Sequence, residues 1–193
     1  MQILKTEIRA RIQRVATAEF LRYGYEEASM RDIAKKSAIS VGNLYNYYEN
    51  KEDLFHSLTK TTYNYLNRLL RKVNEHGSED GFANREFTES LVMKISELLK
   101  KYRVGFILMI DRGQGTKYHD LKDKLITLLL RHFEEELRAK KKSDDSLIMR
   151  IAAKNLIYGL IEIAKNYQND EWVDRNVHSL INYHLRGISQ FYI

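Results

Sequence analysis

Proline does not occur once in 193 residues. It is the residue that breaks helices and presets turns. A chain without it has to end its elements by other means. What fills the sequence instead is apolar residues three and four apart, almost from end to end. Ile8, Ile12, Val15, Ala16 and Phe20 form one such stripe. Leu54, Leu58, Tyr65, Leu66, Leu69, Leu70 and Val73 form another. That spacing is the signature of helices with one buried face. The fold class it predicts is all-α.

The interruptions set the element order. Gly24 ends a first helix over residues 5–23. Ser29-Met30-Arg31-Asp32 reads as a capping box that opens a second helix, with Ile33 and Ala34 on its core face. Ser37-Ala38-Ile39 is a turn, and Ser40 caps a third helix reaching to about Tyr48. Asn50-Lys51-Glu52-Asp53 opens a fourth helix over about 51–74. Residues 76–84 hold two glycines and no period, and are the best linker candidate. Further helices are expected over about 85–101, 104–110, 118–140, 146–167 and 171–191.

Composition excludes several classes. The chain is 44% hydrophobic and 30% charged, as globular proteins are. With no cysteine, it has no disulfide, thiol nucleophile or cysteine-based zinc site. Charges interrupt MQILKTEIRARIQRV every few residues, which does not suit a signal peptide. The longest apolar run, 106–110, is too short to span a bilayer. A cytoplasmic protein without a membrane partner is expected. Net charge is +6, which permits a polyanion partner. Residues 1–51 carry 9 Lys and Arg against 6 Asp and Glu, so this segment is the more basic per residue.

Two short helices joined by a three- or four-residue turn make a helix-turn-helix. The turn wants one residue with positive φ, and that position here is Ala38. The third helix carries neither the Glu and Lys of a surface helix nor the Leu and Val of a core helix. Its residues suit DNA. Ser40 and the helix start suit a phosphate, and Gly42 lets DNA approach the backbone. Asn43 and Asn46 can pair with base edges or phosphates. Tyr45 and Tyr47 offer hydroxyls to phosphates and rings to thymine methyl groups. Val41 either packs on a thymine methyl or stays exposed. Lys51 suits a flanking phosphate. Arg31 reaches a guanine or the backbone, or pairs with Asp32 or Glu27. Leu44 is core under either reading, and Tyr48 fits a core or hinge position better than a DNA contact.

The run GYEEASMRDIAKKSAISVGNLYNYYENKEDLF resembles the DNA-binding segment of the TetR family of bacterial transcriptional repressors. The matching residues include Ala18-Glu19-Phe20, Gly24-Tyr25, Arg31-Asp32-Ile33-Ala34, Ser40 to Tyr45, Tyr47-Tyr48 and Lys51 to Leu54. They cover roughly 8–58. Two positions depart from the family pattern: Ala28, usually Thr, and Ala38, usually Gly. The resemblance implies a homodimer that binds operator DNA through residues 1–50. Residues 51–193 would bind a small effector and dimerise, with helix 4 connecting the two parts. No cofactor is implied.

The C-terminal part leaves alternatives open. Tyr102, Phe106, Met109, Leu129, Phe133 and Tyr158 lie on a stripe that can line a pocket for an apolar or aromatic effector, or serve as plain core. Ala153, Leu156, Gly159, Leu160 and Ile163 belong to a broad apolar face with small residues, as do Val177, Leu180, Ile181, His184, Leu185 and Ile188. These two helices can form an isologous four-helix interface with a second copy, or pack internally. Asp111 and Arg112 fit a helix-end ion pair. His132, Glu135 and Glu136 stand at metal-ligand spacing, but a solvated face explains them and no metal is expected. Two rival functions are a helical small-molecule-binding protein with a vestigial helix-turn-helix, and an all-α enzyme built on His132 and Glu136.

Overall fold

The computed structural model describes residues 2–76, 85–139 and 146–190, with side chains for 5–73, 86–135 and 147–187. The linker candidate at 77–84 and the break at 140–145 lie outside them. The described residues form an all-α fold. Its helices are α1 (Gln2–Glu27), α2 (Met30–Lys36), α3 (Val41–Tyr45), α4 (Lys51–His76), α5 (Arg85–Lys101), α6 (Arg103–Asp111), α7 (Leu121–Ala139), α8 (Ser146–Lys165) and α9 (Asp170–Gln190). No described helix is long and apolar enough to cross a membrane.

Gly24 breaks α1 as expected, but three further residues follow as a turn beyond the kink. Its φ of 77° and ψ of 172° are accessible in practice to glycine alone. The reversal exposes the Tyr25 N–H, which donates to the Arg112 carbonyl at 2.9 Å.

The chain divides into two compact units: Met1–Tyr63 with Val104–His119, and Asn64–Arg103 with Asp120–Ile193. In the first, the α1 stripe Ile12, Ala16 and Phe20 is fully buried, as are Ile33, Ala34, Leu44 and Leu54. Phe55 stands edge-on to Phe20 with ring centroids 5.0 Å apart, and to Tyr25 at 5.2 Å. α6 is buried all round from Gly105 to Ile110. At Gly105 the Thr62 side chain of α4 occupies the space a Cβ would need. Tyr118, in the segment after α6, sets its buried hydroxyl 3.2 Å from Thr59 Oγ1 and 3.3 Å from His56 Nδ1. Burial is the main reason the His56 pKa falls below its ordinary value, and Lys117 and Lys60 lower it further.

In the second unit α7 packs on α8, and α9 on both α8 and α5. Gly159 of α8 lies against the Leu180 side chain of α9; a Cβ there would come within 2.8 Å of it. Lys100 of α5 pairs with Asp174 of α9 at 2.8 Å. The Arg103 guanidinium lies 4.2 Å over the Tyr167 ring. A solvent-open groove of about 620 Å³ runs between α5 and α9, lined by Val92, Met93, Ser96, Lys100, Asp174 and Arg175 among others.

Candidate nucleic-acid interface

The turn between α2 and α3 decides how α3 is presented. Ala38 has a φ of 51°, the left-handed conformation expected of this position. Its N–H donates to Lys35 O and the Ile39 N–H to Ala34 O, both at 3.1 Å. This pair of bonds is a Schellman ending, which satisfies the last carbonyls of α2 and reverses the chain within three residues. Ile33 and Ala34 are held in the core on one side and Leu44 on the other.

Ser40 caps α3, with its hydroxyl accepting from the Asn43 N–H at 3.1 Å. Ser29 does not do the same for α2. It takes the extended N-cap conformation but makes no side-chain cap bond, so the expected capping box is absent. The helix is instead anchored by burial of Met30, Ile33 and Ala34. α3 is also shorter than expected. It ends at Tyr45, and the N–H groups of Asn46 and Tyr47 bond three residues back in a tightened last turn. At the start of α4, Asn50 Oδ1 accepts from the Asp53 N–H at 2.8 Å, as a cap should.

These constraints leave one face of α3 open. Arg31, Ser40, Gly42, Tyr45 and Asn46 are exposed, and Val41, Asn43, Tyr47 and Lys51 are partly exposed. Tyr45 shows 49% of its surface to solvent. Among the described residues, nothing beyond its own helix backbone and chain neighbours lies within 4 Å of where a Gly42 Cβ would be. Packing among the described residues therefore does not require the glycine. Tyr48 is 3% exposed and packs inside, with the Arg9 guanidinium 5.7 Å over its ring.

Two features escape sequence reasoning. Glu19, 6% exposed, accepts from Lys36 at 2.6 Å and ties α1 to α2. Lys51, expected to face a phosphate, bonds within the chain to Glu26 O at 2.9 Å and Ala28 O at 3.1 Å. Neither has a local signal, since the partners stand 17 to 25 residues away.

The C-terminal candidates divide between the two units. Phe106 and Met109 are buried in the first unit; Tyr102, Leu129, Phe133 and Tyr158 belong to the second. Tyr102 packs on Tyr65, Leu129 is partly buried, and Phe133 is fully buried. Tyr158 is 49% exposed, with Lys122 Nζ 5.1 Å over its ring, so it lines no enclosed pocket. Of the expected interface residues, Ala153, Leu156, Leu160, Ile163, Val177, Ile181 and His184 are already buried within the one chain. Gly159 and Leu180 meet each other, Leu185 is partly buried, and the Ile188 side chain lies outside the described residues. This seam is internal packing between helices of one chain. The apolar residues left exposed on α8 and α9 are instead Leu147, Ile151, Tyr158 and Tyr183. Asp111 and Arg112 form the expected helix-end pair at 3.3 Å. His132 is buried, with Nδ1 3.9 Å from Glu135; the Glu136 side chain lies outside the described residues.

A Schellman-reversed helix pair that presents a short capped helix with an exposed Gly, Asn and Tyr face defines a helix-turn-helix DNA-binding protein. Comparison with known proteins narrows the class. Residues 12–58 match the family model of bacterial regulatory proteins, tetR family. The biofilm operon icaADBC HTH-type negative transcriptional regulator IcaR of Staphylococcus epidermidis is 26% identical over 179 residues, covering 86% of this chain and 93% of that protein. Among solved structures, a TetR family transcriptional regulator from Chloroflexus aurantiacus aligns with a TM-score of 0.60 at 16% identity, over 97% of this chain and 92% of its own. A TetR-like transcriptional regulator from Rhodococcus sp. RHA1 gives 0.57 at 19% identity, over 93% and 96%. The chain is a helix-turn-helix DNA-binding transcriptional regulator whose residues 12–58 are similar to the TetR family.

Proposed function

We propose that the protein is a repressor that binds a palindromic operator as a homodimer and is released by a small effector. The observation that carries the DNA-binding half is the open face of α3, where packing does not require Gly42 to be glycine and Tyr45 leaves about half its surface to solvent. Arg31, Ser40, Val41, Asn43, Asn46 and Tyr47 surround it and supply the phosphate and base contacts. Repression is supported by the similarity to a negative regulator along most of both chains. The homodimer is supported by the apolar residues that α8 and α9 leave exposed, Leu147, Ile151, Tyr158 and Tyr183. The two recognition helices would then lie about one DNA turn, roughly 34–36 Å, apart.

The effector belongs in the second unit. The groove between α5 and α9 has the volume of a ligand site. Val92 and Met93 line it beside Lys100, Asp174 and Arg175, so an effector seated there combines an apolar part with polar or charged groups. By linkage, effector and operator weaken each other's binding equally.

Selection of duplexes from a random library tests the reading. The protein should enrich a palindrome, and a Gly42→Glu, Tyr45→Ala variant should not. Enrichment of the same sequence by both proteins would remove α3 from recognition. Absence of any enriched sequence at moderate salt would remove the regulator reading altogether.

A further inference from the structure

We propose that Arg9 of α1 is a further DNA-binding residue, which holds a backbone phosphate of the operator beside the C-terminal end of α3. The proposal rests on the reading that α3 binds DNA. Tyr48 follows the tightened last turn of α3, with its N–H bonded to Leu44 O at 3.2 Å. Its ring is buried, and the Arg9 guanidinium lies 5.7 Å from the ring centroid. This contact brings a cation of α1 to the place where α3 ends. Arg9 itself is exposed. Among the described residues it has no hydrogen bond or ion pair. A guanidinium carries five N–H donors in a planar fork that fits a phosphate, and a cation–π contact leaves them for other partners.

The charge pattern of α1 points outside the chain. Lys5 stands four residues before Arg9, so the two lie on one face a turn apart. Lys5 is also exposed, and also unpaired among the described residues. Like charges at this spacing destabilise a helix. The first turn of α1 holds no acidic residue, although acids are favoured at that end. A polyanion beside this face turns both penalties into attraction. The dimensions agree. α3 is five residues long, roughly 7.5 Å by helix rise. The major groove is about 12 Å wide. With its N-terminal residues on base edges, a helix that short ends near the phosphate wall of the groove. An arginine side chain at that end reaches the wall.

Salt dependence and a charge-keeping variant separate this role from a purely structural ring contact. Affinity for the selected duplex is measured from 50 to 200 mM KCl for the wild type, Arg9→Gln and Arg9→Lys. Each phosphate contact contributes about 0.9 to the slope of log K against log salt concentration. A homodimer loses two, so the slope for Arg9→Gln should be shallower by about 1.8. Its affinity deficit against the wild type then shrinks about 12-fold from the lowest salt to the highest. The sequence it selects should not change, because a phosphate carries no sequence information. Arg9→Lys should keep the wild-type slope. An unchanged slope for Arg9→Gln overturns the proposal even if affinity or Tm falls, since the arginine would then act only through Tyr48. A slope lowered equally by both variants also overturns it, since the charge would not be what counts. Should Arg9→Gln fail to fold, Arg9→Met, also neutral, is read the same way. Absence of salt-dependent binding by the wild type would instead refute the DNA-binding reading on which this rests.

Discussion

Replacing Ala38 by glycine should stabilise the protein. Ala38 sits at φ 51°, where the Cβ crowds the following carbonyl. The cost of that conformation to a residue with a side chain is about 1–2 kcal/mol. Glycine removes it but gains freedom in the unfolded chain, which returns about 0.4–1 kcal/mol. The residue is exposed, so loss of its methyl group gives up little buried area. The backbone bonds from Ala38 and Ile39 do not involve the side chain. The net gain is about 0.5–1 kcal/mol. For a chain of this length it raises Tm by about 1–3 °C. Calorimetry and urea denaturation measure it, with Ala38→Val as the opposite case. A β-branched residue is poorly tolerated at positive φ, and this variant should lose at least as much as glycine gains. Operator affinity of the glycine variant should stay within about two-fold of wild type, since the chain path does not change. A glycine variant with a lower Tm, or glycine and valine variants both indistinguishable from wild type, would refute the left-handed turn.

Gly105→Ala should cost about 1–3 kcal/mol in urea denaturation, because its Cβ meets the buried Thr62 on α4. Gly159→Ala should cost less, because the atoms it meets are the mobile end of Leu180. Stability should fall as pH drops from 7.5 to 5.5. The His56 pKa is lowered by burial first and then by Lys117 and Lys60, and burial also lowers that of His132. The unfolded chain therefore binds more protons than the folded one below the ordinary value of 6.5. The stability is fully present above that value and is lost on descent towards the folded pKa values. Urea midpoints at the two pH values measure it, and His56→Gln with His132→Gln should flatten the difference. Asn43→Ala should change the sequence preference recovered by selection, whereas Tyr47→Phe should weaken all duplexes by a similar factor; the reverse pattern would exchange their roles.

Where a residue's purpose is local, the sequence exposes it. The positive φ of Ala38, the Ser40 cap and the Asn50 cap are each set by residues within four positions, and all three are present. Ser29 shows the limit of such reasoning. The spacing of a capping box is in the sequence, but burial of Met30 and Ile33 holds α2 without it. The ends of α3 are also set beyond the local pattern, since Tyr48 is drawn into the core and the helix tightens and stops before it.

The two halves of the chain differ in legibility for a physical reason. An apolar stripe states that a face is buried but not what buries it. Phe106, Met109 and Phe133 satisfy a pocket, a core and an interface equally well until their neighbours are known. The same is true of Ala153, Leu160 and Val177, which are buried within the one chain. Leu147, Ile151, Tyr158 and Tyr183, the exposed apolar residues of α8 and α9, are the ones proposed to face a second copy. On α3 the logic reverses. Gly42 and Tyr45 are poor choices for burial and poor choices for a surface that meets only water. Residues that fit neither environment suit a third, and the one proposed for them is DNA. Lys51 lies between the two cases. Its charge is visible in the sequence and suits a phosphate, but its bonds to two backbone carbonyls 23 and 25 residues away are not visible there, and they leave it a third donor. A charge beside a binding helix therefore shows in the sequence what it can meet, but not what else it holds.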